Sequence, residues 1–208
     1  MAIVEGNLLR GKLGDKIYSI DPVTKKQMVR DAPKKVRNPK TDAQQKHRNA
    51  FVEIVRLSSY MTEAHSIGLH HHAVREHKRT YADFRSLNKK CFTKEGLIDY
   101  PNITLSYGSI AQVMFTAAQL DEAHILHLTY DPCLGASHSR PDDNLFLYAY
   151  CPAFNTGQLY DPVPRQAGSF SIELPSEWPS DDVHLYAFLV NNKRSSSRTI
   201  YVTMDKTE

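Results

Sequence analysis

Across residues 100–208 apolar and polar positions alternate with a period of two, whereas residues 41–90 repeat them at helical spacing. Ile103, Leu105 and Tyr107 alternate with polar neighbours, and residues 109–116 read as a second extended run. Leu126, Leu128 and Tyr130 alternate against His127 and Thr129, and Phe170, Ile172 and Leu174 do the same ahead of Pro175. Residues 145–151 and 183–190 are apolar on both faces, the pattern of a strand central to a sandwich or sheet. Asn191-Asn192-Lys193 can turn the second of these toward residues 199–203. Short strands separated by Pro, Gly, Asn and Asp predict an antiparallel sandwich. Trp178, the only tryptophan, lies in the loop before residue 183 and reads as a lid on that core.

The helical half is punctuated by capping signals. Thr41 with Gln44 forms a capping box, in which the hydroxyl accepts a backbone N–H and the amide side chain reaches back. A helix is expected from Thr41, with Ala43, His47, Ala50, Phe51, Ile54, Val55 and Ser58 on its apolar face. A second helical stretch covers residues 62–77, interrupted at Gly68. A third begins at Thr80, where Thr80 and Asp83 form a similar pair, and runs to about residue 90 with Tyr81, Phe84 and Leu87 as its buried stripe. Ahead of these, Lys16–Ile20 and residues 26–30 read as strands joined through Asp21-Pro22, a turn-forming dipeptide. The fold class is therefore α+β. An N-terminal β-hairpin plus helical unit, residues 1–100, is expected to pack together. An antiparallel sandwich follows, residues 101–208.

Charge follows the same division. Residues 1–99 carry 20 Lys and Arg against 11 Asp and Glu, a net of +9; residues 100–208 carry 6 against 12, a net of −6. The two leave the whole chain at +3. Such asymmetry bears on association rather than fold. The basic side chains concentrate in residues 29–51, where Pro33 and Pro39 keep Lys34, Lys35, Arg37 and Lys40 extended ahead of a helix that adds Lys46 and Arg48. No stretch reaches the roughly 18 apolar residues of a membrane span, and the first residues carry no apolar core of signal-peptide length. Cys91, Cys133 and Cys151 are an odd number without a CxxC spacing, as in a reducing compartment. The cytoplasm is the expected location.

Four blocks occur here in one order: RGKLGDKIYSI, VRDAPKKVRNPKTDAQQKHRNAF, LSYGSI and LPSEWPSDDVHLYAFLV. Together they resemble an uncharacterised gut-bacterial domain-of-unknown-function family over nearly the whole chain. The most specific element is Asn38-Pro39-Lys40-Thr41 followed by Gln44, Arg48 and Phe51. The resemblance implies an immunoglobulin or fibronectin type III sandwich in the C-terminal part and supplies no catalytic residue. A fainter similarity links the Asn-Pro-basic-Thr block to prophage-encoded structural proteins. Those follow it with tryptophans where this chain has Ile54, Leu57 and Tyr60.

Candidate chemistry narrows the reading further. His65, His70, His71, His72 and His77 invite a metal hypothesis, but no pair has the i, i+4 spacing that sets two imidazoles on one helical turn. Successive histidines project about 100° apart on a helix, so polar positions on a helix face are expected and no metal or cofactor. There is no GxSxG elbow, P-loop or GxGxxG, and Asp142-Asp143 and Asp181-Asp182 read as solvated turns. No enzymatic activity is expected. The candidate contact residues are Lys34, Lys35, Arg37, Lys40, Lys46 and Arg48. With the exposed edges of the sandwich they would serve a protein partner or self-association in a non-catalytic binding or assembly protein; the alternatives are a nucleic-acid-binding accessory protein, through phosphate neutralisation, or a phage-derived structural protein.

Overall fold

The computed structural model describes residues 2–5, 8–33, 40–93 and 97–205. The chain forms two compact units, Met1–Gln44 and Gln45–Glu208. In the first, β1 (Ala2–Glu5), β2 (Leu8–Leu13), β3 (Lys16–Ile20) and β4 (Gln27–Asp31) make an antiparallel meander in that order. The expected hairpin is thus its second half, extended by β1 and β2. Gly14, at φ 58°, opens the two-residue turn between β2 and β3. At the next turn the Asp21 carboxylate accepts the N–H groups of Val23 and Thr24, at 2.8 and 3.2 Å. Cross-strand pairing sets Leu13, Tyr18 and Val29 on one face and Lys12, Ile17 and Arg30 on the other. No residue from 8 to 33 is buried.

The second unit is arranged around two strands that are apolar on both faces. Strands β5 (Met114–Leu120), β6 (Ile125–Asp131) and β10 (Ser169–Glu173) form one antiparallel sheet. The other comprises β7 (Asn144–Cys151), β8 (Thr156–Leu159), β9 (Val163–Pro164), β11 (His184–Val190) and β12 (Ile200–Val202). Leu145, Leu147 and Ala149 of β7 and Leu185, Ala187 and Leu189 of β11 meet Leu126, Leu128 and Ile172 of the first sheet, with Trp178 buried among them. The two sheets therefore form the expected sandwich. The alternate residues of β7 and β11, including Tyr148, Tyr150, Tyr186 and Phe188, face a helical layer.

That layer consists of α1 (Asp42–Tyr60), α2 (Thr62–Gly68), α3 (His70–Arg75) and α4 (Thr80–Asn88). Ile54, Leu57, Met61, Ala64, Leu69 and Phe84 share a core with the sheet tyrosines. The Tyr148 hydroxyl donates to the Tyr60 carbonyl at 2.9 Å, satisfying an acceptor at the end of α1. The helices thus pack on the C-terminal sandwich, and a boundary at residue 100 would split one core. A change of hydrophobic period marks a change of element there, not a gap in packing.

Local details correct the sequence reading in three places and match it in a fourth. The Thr41 hydroxyl accepts the Gln44 N–H at 3.4 Å, as the capping box requires. Burial on α1, however, starts only at Ile54, and Phe51 stays 53% exposed. Thr80 is the first residue of α4 rather than its cap, and Asp83 turns inward; Tyr81 is exposed while Phe84 is fully buried. Residues 103–113 form no ladder strand. The Leu105 and Ser106 N–H groups instead donate to the Thr199 hydroxyl, both at 2.8 Å, and both residues are buried, so the expected alternation stops at Leu105. The interruption expected at Gly68 is present, dividing the stretch into α2 and α3.

Gly68 sits where a loop crosses the helix. A Cβ there would lie 2.5 Å from the Leu105 carbonyl oxygen and 2.6 Å from Ser106 Cβ. Alanine favours a helix by about 1 kcal/mol over glycine, but a backbone clash cannot be relieved by a rotamer change. Gly68→Ala should therefore lower stability by about 1–3 kcal/mol in urea unfolding, the usual cost of overpacking. Arg165 provides a second check. Fully buried, its guanidinium donates to Asp143 Oδ2 at 3.2 Å and to the Pro132 and Ala111 carbonyls at 2.9 and 2.6 Å. Arg165→Met would strand a buried carboxylate and two carbonyls. A loss of about 3–5 kcal/mol in the same assay is expected.

Candidate functional site

Of the six basic residues singled out by the sequence, Lys34, Lys35 and Arg37 lie outside the described residues. Lys40, Lys46 and Arg48 are exposed, as is every residue from 40 to 49. Lys46 and Arg48 are two apart on α1 and so project about 200° from one another. The described part of the block is a solvent-facing helical turn with charge on more than one side, not a pocket. Phe51 and Val52, at 53% and 44% exposure, extend it with apolar surface.

The histidines depart from the sequence reading. Two of them face inward rather than lying on a polar helix face. His65 is almost fully buried, its Nε2 lying 2.9 Å from the Ser58 carbonyl oxygen and its ring centroid 5.1 Å from that of Phe84. Burial pushes its pKa below the ordinary value of 6.5, outweighing the hydrogen bond to Ser58 that favours the charged form. His72 is 9% exposed and places Nδ1 2.6 Å from Oδ2 of the fully buried Asp83. His71 is exposed and His70 half-buried. Among the described residues no three His, Cys, Asp or Glu converge as a metal site would require.

The buried His72–Asp83 pair backs a cleft of about 510 Å³ that sequence reasoning missed. Its walls are α3, which supplies His71, His72 and Arg75, the loop from Tyr107 to Gln112, and the turn carrying Ser195, Ser196 and Arg198. The two loops are pinned together closely. Ser196 Oγ lies 2.8 Å from the Gly68 carbonyl and 3.1 Å from that of Tyr107, and a Cβ at Gly108 would collide with the Ser196 carbonyl. The Tyr107 ring is 4.7 Å from the His72 ring, and the Arg198 guanidinium stands 5.5 Å from its centroid. No carboxylate lines the cleft. Arg75, Tyr107 and Arg198 come from distant parts of the chain, so no spacing joins them. The sequence had singled out His71 and His72 as metal candidates, Tyr107 as part of an alternating run and Asp83 as half of a capping pair, with nothing to bring them together.

The class of protein is thus an α+β chain whose helical layer covers one sheet of an antiparallel sandwich. It belongs to DUF6266, a family of unknown function, whose profile matches residues 10–203. Among solved structures, the fibronectin type III domain of the human collagen alpha-1(XX) chain is similar at 15% identity. The match covers 50% of this chain and 94% of that one, with a TM-score of 0.33. No curated protein matches the sequence. Among the described residues no helix is long and apolar enough to cross a membrane.

Two histidines make stability depend on pH. Burial lowers the pKa of His184 as well as His65, in His184 against the raising influence of Asp182. Each then binds its proton more readily in the unfolded chain. The stability tied to the neutral rings is present above pH 6.5 and is lost as pH falls below that ordinary value. Urea midpoints should drop between pH 7.5 and 5, and the His65 ring resonances should titrate below 6.5 in NMR spectra.

Proposed function

We propose that this protein is a non-catalytic binding or assembly protein that meets an acidic protein surface through its basic block. The observation that carries the reading is that residues 40–49 are all exposed, with Lys40, Lys46 and Arg48 among them and Phe51 and Val52 beside them. A basic helical turn with adjoining apolar side chains offers both steering charge and area to bury. The acidic residues 100–208 make a second copy the first partner to test, because complementary potentials favour head-to-tail contact. A cytoplasmic setting is part of the proposal. It rests on Cys91, Cys133 and Cys151, which form no disulfide.

Light scattering at low and high salt, with and without a mixed DNA and RNA pool, tests this reading. A protein-only oligomer that salt dissociates is expected, since exposed charge contacts are screened. Converting Lys34, Lys35 and Arg37 to Glu should return it to monomer. Circular dichroism and urea unfolding check that the variant remains folded. A folded triple variant that still assembles would overturn the assignment of the contact. A mass increase that requires nucleic acid and is lost steeply with salt would replace it with phosphate-backbone binding.

A further inference from the structure

We propose that the cleft between α3 and the loops at Tyr107 and Arg198 is a binding site for a small-molecule phosphate monoester. The phosphate would be held by Arg75, Arg198 and His72. The site is separate from the basic block on α1.

Charge is the first argument. Two guanidinium groups and two imidazoles line the cleft, and no Asp or Glu does. Arginine presents parallel N–H donors that match phosphate oxygens two at a time. Arg75 lies 3.4 Å from Glu76, but both side chains are largely exposed, and such pairs hold with little energy. Its guanidinium can therefore turn to a ligand at small cost.

His72 is the second and independent argument. Its side chain is nine-tenths buried, yet only Nδ1 has a protein partner, the Asp83 carboxylate at 2.6 Å. Nε2 is left for the cleft that the residue lines. A buried carboxylate behind the ring fixes its orientation and offsets the charge of an imidazolium, so Nε2 can carry a proton toward an anion in front. The other groups around this ring are consistent with that arrangement. Lys78 Nζ stands 3.9 Å from Asp83 Oδ1, and Tyr107 packs on the imidazole. Arg75 and His71 lie on the same helix, and Arg198 on the facing turn. The exposed Glu76, paired with Arg75, is the acid next to them.

Size and lining suggest that the phosphate carries an organic group. About 510 Å³ falls within the range of small-molecule sites and exceeds what inorganic phosphate would fill. The Tyr107 ring offers a flat wall, already used by Arg198, against which a ring or sugar could lie.

NMR titration of the full chain with phenyl phosphate, inorganic phosphate and acetate tests the proposal. Phenyl phosphate is expected to shift the amides of residues 107–112 and the His72 ring, and to bind more tightly than acetate. Arg198→Gln, an exposed substitution that leaves the fold intact, should weaken it by roughly tenfold. His72→Gln, which removes the ring that lines the cleft, should also weaken phenyl phosphate. Shifts confined to residues 40–49, no shifts at millimolar ligand, or an unchanged affinity in Arg198→Gln would each overturn the site. Acetate binding as tightly as phenyl phosphate would overturn the assignment to phosphate.

Discussion

The second unit depends on the need to cover both faces of β7 and β11. Their inward residues close the sandwich, and their outward residues, Tyr148, Tyr150, Tyr186 and Phe188, cannot be left in water without a large loss of apolar burial. A helical layer meets that demand. Each tyrosine also brings a hydroxyl that must be satisfied. Tyr148 finds the carbonyl at the end of α1, and Tyr186 the Tyr100 carbonyl at 2.9 Å. Sheet and helices are therefore joined by polar contacts at the rim of an apolar interface.

From this layering follows the cleft. Once α2 and α3 lie on the sheet, Gly68 allows the Leu105–Ser106 backbone to cross, and the Ser196 hydroxyl reaches the Gly68 carbonyl behind it. The two loops meet the start of α3 because nothing larger than glycine stands at the crossing. His72 and Asp83, on different helices, become partners in the same step. The polar features of the cleft are by-products of how an apolar sheet is covered.

The first unit follows a different logic. Its meander has no buried residue from 8 to 33, and its stability rests on the backbone ladders of four strands more than on a core. Leu13 and Val29 are 55% and 53% exposed.

Much of the architecture was legible because it rests on periodicity. The two-faced runs at 145–151 and 183–190 gave the central strands nearly to the residue. The Thr41–Gln44 pair placed the start of α1 within one position. Periodicity does not record what packs against an amphipathic face, and so Phe51 was assigned inward and Tyr81 to a buried stripe. Nor does a short alternation of apolar and polar residues guarantee a ladder strand, as residues 103–113 show: the adjacent Leu105 and Ser106 are both buried, and their N–H groups find a side-chain acceptor at Thr199. The chain by itself determined the α+β class, the sandwich and the charge division, all consequences of local pattern and composition. Only tertiary structure decided that the helices cover the sandwich and that His72, Asp83, Arg75 and Arg198 share one place. Those juxtapositions join side chains through space, across separations in sequence that no spacing rule spans.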